Sequence, residues 1–196
     1  MADATLQQKA HLIAIDRLGY GFSSYGIPIT DIQQQAAPLQ HLMKTTAAKN
    51  WIIVSHSYGC PIAGVLAVTT DQDIKTNIML CPVIDPSEEI IFFFSPWPSN
   101  SVMKHLFSKS FQVSSYEKMS HAEELRRVEP LWSQTKVPTI VMHGEKDWIA
   151  PVKNARYLEQ FVDKEYLDIR IHPDISHFIP WQQSSMVVKE IENILD

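Results

Sequence analysis

Three polar side chains in this sequence have the types and order that a hydrolytic relay needs. They are Ser57 in VSHSYGCP, Asp147 in GEKDWIAP and His177 in PDISHFIPW. A serine hydroxyl is a weak nucleophile until a base takes its proton, and histidine titrates in the range suited to that task. A carboxylate hydrogen-bonded to the imidazole fixes its tautomer and steadies the cation that forms. Each of the three residues follows a run of strand formers: WIIVS (51–55), TIVMHG (139–144) and LDIRIH (167–172). If those strands are parallel, their carboxyl ends bring the three loops to one edge of a sheet, where ligands of such sheets bind.

Ser57 carries the sharpest local signal. A strand that ends and at once reverses into a helix strains the residue at the turn and asks for small neighbours, here Ser55 and Gly59. Such a turn lifts the hydroxyl beside a helix N-terminus, where backbone N–H groups and the helix dipole can hold a developing oxyanion. The pattern is S-x-S-x-G and not G-x-S-x-G, and serine at such a junction also serves as an ordinary N-cap. Rivals stand close by. Asp85 in CPVIDP also follows a strand, although a carboxylate before Pro86 suits a turn. His143 and His172 end strands and are expected to point into the structure; His56 is expected to pack beside the serine, and Asp174 to form a turn.

The positioning elements alternate. HLIAID (11–16) reads as a first strand, closed by the glycine-punctuated loop DRLGYGFSSYG. Thr30 reads as an N-cap for a helix through about residue 49, with Ile32, Ala36, Leu39 and Met43 at helical spacing. Further helices are expected at 58–70, near 151–162 and near 182–195, and another strand at KTNIMLC (75–81). Strand–helix alternation with strands this apolar predicts an α/β domain: a mainly parallel sheet between two helical layers, a three-layer α/β/α sandwich. Residues 82–137 break the rhythm with prolines 82, 86, 96, 98 and 130, aromatics at 92–94, 97, 107, 111 and 116, and the amphipathic HAEELRRVEPLW (121–132). A connection of that length predicts an inserted helical cap over about 84–134 of a single domain spanning 1–196. The patch IIFFFSPWP (90–98) then serves as cap core or lines an acyl-binding pocket, and Gly64 permits close helix packing.

The bulk numbers agree with a folded enzyme-sized domain: 196 residues, 45% hydrophobic, 20% charged, net charge −5. Basic residues do not cluster, so no nucleic-acid partner is expected. No apolar stretch approaches the roughly 20 residues of a membrane span. Cys60 and Cys81 form no C-x-x-C and read as buried small hydrophobes; the eight histidines show no metal-ligand spacing, so no metal or cofactor is expected.

DRLGYGFS (16–23), VSHSYGCPIA (54–63), VMHGEKDWIAP (141–151) and ISHFIPW (175–181), in that order, resemble the successive signatures of the α/β-hydrolase superfamily and span nearly the whole chain. The resemblance implies Ser57 as nucleophile, Asp147 as the acid that orients the base, His177 as general base and the Tyr58 backbone N–H as an oxyanion donor. It implies cleavage of an ester or related acyl bond, with a small-molecule substrate carrying an apolar acyl or alkyl part, no cofactor and a cytoplasmic location. Serine at 57 excludes the aspartate-nucleophile branch. The superfamily also holds carbon–carbon hydrolases, aminopeptidases and haloperoxidases with the same triad, and a catalytically impaired ligand-binding relative is a further alternative.

The sequence departs from the family before residue 11. Family members carry earlier strands and a His-Gly loop that gives a second oxyanion donor; here the first residues read as the end of a helix, and none of the six glycines precedes 19. Two expectations follow. The strand at 11–16 must pair with 51–55 directly or leave an open edge that another chain, including a second copy, can fill. Loss of one oxyanion donor costs about 10²–10³ in rate, so the chain as given should turn over slowly and an extended one faster.

Overall fold

The computed structural model describes residues 3–196. Four parallel strands form one sheet in chain order: β1 (Trp51–His56), β2 (Ile74–Leu80), β3 (Thr139–Gly144) and β4 (Leu167–His172). Seven α-helices accompany them among the described residues: α1 (Ala4–Lys9), α2 (Ile32–Thr45), α3 (Gly59–Thr69), α4 (Lys109–Val128), α5 (Lys153–Tyr157), α6 (Ile179–Gln182) and α7 (Ser184–Leu195).

The period-2 alternation of the strands sorts their side chains into two cores. Ile53, Met79, Val141 and Ile169 join Ile62, Leu66, Leu125, Trp132 and Leu158 on the face covered by α2, α3 and the end of α4. Ile52, Ile78, Leu80 and Met142 join Ile179, Val187 and Ile191 on the face covered by α6 and α7. With helices on both faces, the interior strands β2 and β3 are covered on both sides. β2 is accordingly apolar at successive positions, with Ile78, Met79 and Leu80 all buried. Gly64 does permit a close approach: a Cβ there would lie 2.7 Å from the Trp132 ring and 3.3 Å from Met79 Cε.

The segment HLIAID is not a strand. Among the described residues β1 has one ladder partner, β2, and residues 11–16 have none. Their composition suits a strand, but a ladder needs a neighbour and β1 does not come close enough to pair. Three boundaries also shift. Asp31, not Thr30, caps α2, its carboxylate accepting from the Gln34 N–H at 2.9 Å, and α2 ends at Thr45. The helix expected over 151–162 is the short α5 followed by a 3-10 turn.

Residues 81–138, between β2 and β3, hold short 3-10 turns and the 20-residue α4, capped by Ser108. α4 is anchored to the body through a buried polar cluster. Arg17 donates to both Glu117 oxygens at 2.7 and 3.1 Å, and the Tyr20 hydroxyl donates to the same carboxylate at 2.6 Å. Gln35 reaches Glu117 and the carbonyls of Leu18 and Ile29. No helix among the described residues is long and apolar enough to cross a membrane.

Candidate active site

Ser57 sits between β1 and α3 with φ of +53°, in the left-handed region that side-chain-bearing residues avoid. The strain is held by hydrogen bonds on both sides: the Ser57 N–H donates to Leu80 O at 3.0 Å, and the Cys60 N–H to Ser57 O at 2.9 Å. A Cβ at Gly59 would lie 3.9 Å from Ser55 Cβ. The two small residues therefore face each other across the turn, and one of them alone can enlarge modestly.

His177 comes from the loop after β4. That loop lies across the end of β3 so tightly that a Cβ on Gly144 would sit 2.2 Å from Ile175 O. The fit requires glycine at 144, and it sets the distance from His177 to the sheet edge. His177 Nε2 is 3.0 Å from Ser57 Oγ, and His177 Nδ1 is 2.7 Å from Asp147 Oδ2. The other carboxylate oxygen of Asp147 accepts from the N–H groups of Ile149 and Ala150 at 2.9 and 2.8 Å. Burial pushes the Asp147 carboxyl up, but hydrogen bonds from His177 and Ala150 outweigh it and hold the group below the usual carboxylate range. An ionised Asp147 accepts, so Nδ1 carries the proton and Nε2 keeps its lone pair toward Ser57.

The other candidates lie elsewhere. Asp85 Oδ1 accepts from the Ser87 N–H and hydroxyl at 2.8 and 2.6 Å, a turn closed on itself. Asp174 is exposed and pairs with Lys146. His56 Nε2 donates to His177 O at 2.8 Å, and its ring packs 4.7 Å from the His177 ring; burial lowers its pKa. His172 keeps a buried Nε2 with no partner. His143 is fully buried, and its Nε2 lies 2.9 Å from Ala150 O and 3.4 Å from Asp147 Oδ2. Burial lowers its pKa, so it stands beside the carboxylate as a neutral imidazole whose Nε2 donates to Ala150 O. The strand-end position of His143 marks it as inward-pointing; only the folded loop reveals its contact with the acid.

Sequence inspection also misses what surrounds Tyr58. Its ring stacks on His121 of α4 at 4.6 Å and carries the Arg17 guanidinium 4.5 Å from its centroid. His121 Nδ1 is 2.8 Å from Glu89. The residue after Ser57 is thus wedged between the loop at 16–20 and α4. These partners are 32 to 100 positions apart in the chain, and no short motif holds them.

Cys81, Asp147 and His177 offer ligand atoms within 4.8 Å of one another. The donor set suits a metal poorly: burial pushes the Cys81 thiol far up, keeping it protonated, and the other two groups are engaged with each other. Cys60 is likewise a buried free thiol.

Several exposed aromatics stand near these groups. Trp148 follows Asp147, Phe178 follows His177, and Trp181 lies 5.3 Å from His56; they are 64%, 42% and 69% exposed.

The fold has many solved likenesses. An enol-lactonase from Burkholderia xenovorans superposes with a TM-score of 0.71 at 17% identity, over 92% of this chain and 78% of that one. A meta-cleavage product hydrolase from Pseudomonas fluorescens gives 0.68 at 12% identity, over 91% and 77%. A monoacylglycerol lipase from Paleococcus ferrophilus gives 0.61 at 13% identity, over 86% and 76%. No curated protein sequence matches the chain. The sequence profile of the alpha/beta hydrolase fold matches residues 1–104, more than half of the protein, and the chain belongs to the α/β-hydrolase family.

Proposed function

We propose that the protein is a serine hydrolase cleaving an ester or related acyl bond through Ser57, His177 and Asp147. The observation that carries this reading is the unbroken line of hydrogen bonds from Ser57 Oγ through the imidazole to Asp147, at 3.0 and 2.7 Å. As Ser57 Oγ attacks a carbonyl carbon, Nε2 takes its proton and Asp147 steadies the imidazolium. Charge develops on the carbonyl oxygen beside the N-terminus of the 11-residue α3, where the Tyr58 N–H donates. The imidazolium then protonates the leaving alcohol, and water activated by the same His177 releases the acyl group.

The exposed Trp148, Phe178 and Trp181 support a substrate with an apolar part. Residues 84–134 act as a cap, with α4 placing His121 against Tyr58. The same triad performs other acyl and carbon–carbon cleavages in this superfamily. An ester is the simplest substrate that uses every group described.

Fluorophosphonate labelling tests the proposal. Covalent phosphonylation of Ser57, absent in Ser57→Ala and slowed by about 10³ or more in His177→Ala, is expected. Labelling that persists in Ser57→Ala would rule out this serine.

A further inference from the structure

The segment between β2 and β3 carries apolar side chains that the body leaves uncovered. Phe93, Val102 and Leu106 are 79%, 77% and 80% exposed, and Phe94 and Trp97 beside them are exposed too. They are not scattered. Ring contacts of 5.3 to 6.3 Å run from Trp148 through Phe92 and Phe94 to Phe93 and Trp97. The 3-10 turn Trp97–Ser99 packs on the turn Met103–Leu106 and on α4. A contiguous exposed apolar patch of this kind marks a place of contact. Its charge is unusual as well. Residues 90–116 hold Lys104 and Lys109 and no carboxylate, although the chain has 22 acidic residues and a net charge of −5. Neither lysine joins an ion pair among the described residues. The flanking acids are neutralised: Glu88 pairs with Lys153, Glu89 with Lys118 and Glu117 with Arg17.

The polar groups of these turns are bonded within the segment. The N–H groups of Trp97, Lys104 and Phe107 donate to Phe94 O, Asn100 O and Lys104 O. Asn100 Oδ1 accepts from the Val102 and Met103 N–H groups at 3.0 and 3.1 Å. The Gln112 amide donates to Lys104 O and Phe107 O at 2.8 and 3.1 Å. A protein partner forms about one hydrogen bond per 100–200 Å² of interface, and here it meets backbone that is already committed. An acyl phase offers no hydrogen bonds, so turns satisfied internally lose least on entering it. A second copy of the chain fits poorly, because a two-fold contact through this patch brings its unpaired lysines together.

We propose that residues 91–109 dock on an anionic lipid surface. Phe93, Trp97, Val102 and Leu106 enter the boundary between headgroups and acyl chains, where aromatic rings partition well. Lys104 and Lys109 lay their methylene stems along that boundary and hold their ammonium groups on the anionic headgroups. Binding is peripheral and reversible, since short turns and single side chains anchor the protein and no helix spans. The inference concerns a surface and is independent of the reaction assigned to Ser57.

The test is co-sedimentation of the full chain carrying Ser57→Ala, so that binding is read without chemistry. The vesicles are phosphatidylcholine with about a third phosphatidylserine, at about 0.1 M salt, where the Debye length is near 10 Å. Saturable binding with a blue shift of tryptophan emission is expected, at least about tenfold weaker on phosphatidylcholine alone. The double variant Phe93→Ser with Leu106→Ser should bind at least about tenfold more weakly at an unchanged Tm, because both side chains are exposed. Lys104→Glu with Lys109→Glu should abolish the preference for the anionic vesicles. No binding to the anionic vesicles, as expected of a patch that covers a protein instead, would overturn the proposal. So would equal binding to both vesicles, or binding that survives the Phe93 and Leu106 changes. A lipid-free dimer that the same double variant dissociates would assign the patch to a second copy and overturn it too. Failure of the fluorophosphonate experiment would leave these outcomes unchanged.

Discussion

Replacing Asp147 by asparagine exchanges one oxygen for an NH₂ group and reverses a hydrogen bond that matters. The carboxylate uses Oδ1 to accept from the Ile149 and Ala150 N–H groups and Oδ2 to accept from His177 Nδ1. In Asp147→Asn the amide oxygen must stay with the two backbone donors, because an NH₂ there would face two N–H groups. The NH₂ therefore faces Nδ1 and asks it to accept, which moves the imidazole proton to Nε2. A protonated Nε2 cannot take the proton of Ser57. A wrong-tautomer exchange of this kind costs about 10⁴ in kcat, near 5.4 kcal/mol at 1.36 kcal/mol per decade. The loss should fall on kcat and leave KM for p-nitrophenyl butyrate within a few-fold, since no substrate contact changes. Far-UV dichroism and Tm would show that the isosteric variant still folds. Steady-state hydrolysis and fluorophosphonate labelling should fall together. A variant retaining more than a tenth of the parent kcat would refute the tautomer argument and the role of Asp147 with it.

Further expectations rest on the same coordinates. Gly144→Ala puts a Cβ 2.2 Å from Ile175 O; displacing the His177 loop should cost about 1–3 kcal/mol by denaturant melts and about 10² in kcat, and parent-like values of both would contradict the close approach. Glu117→Gln leaves the Arg17 guanidinium, 29% exposed, without its counter-charge; a loss of about 3 kcal/mol by chemical denaturation is expected, and an unchanged Tm would show that the cluster carries little. Burial holds His143 below its ordinary pKa of 6.5, so the unfolded chain binds its proton first as pH falls. Stability should therefore drop as pH falls through and below 6.5 and be fully present above it, and His143→Gln, which keeps a donor to Ala150, should flatten that slope. Asp147 acts in a lower window: its depressed pKa contributes stability above the ordinary carboxylate value of 3.8, lost as pH falls through the folded value.

Much of the fold is legible in the strands. WIIVS, TIVMHG and LDIRIH are short apolar runs with breakers on either side, and all three occupy the sheet where their composition puts them. The loops after them bring Ser57, Asp147 and His177 into one hydrogen-bonded line because parallel strands end at a common edge. HLIAID shows the limit: local composition states a preference, whereas a ladder depends on a neighbour that no residue in the run encodes. The same limit hides the contact of His143 with Asp147, which depends on how the loop 145–150 folds back over the strand end, and the cluster around Tyr58. Glu117 and His121 lie on a helix whose register against residues 17–20 is set by tertiary packing alone. Thr30 and Asp31 differ by one position as caps; both have the required oxygen, and only backbone geometry chooses between them.

Because the strands lie side by side in the order in which they occur along the chain, synthesis on the ribosome adds them at one advancing edge. The serine emerges first, its acid some 90 positions later and the imidazole last, after β4 has docked. The Ser57 hydroxyl therefore stays without its imidazole partner until residue 177 has been made, and a product cut short before it lacks the hydrogen-bonded line. Timing is built into the topology: the hydrogen-bonded line closes only once the last of the four strands is in place.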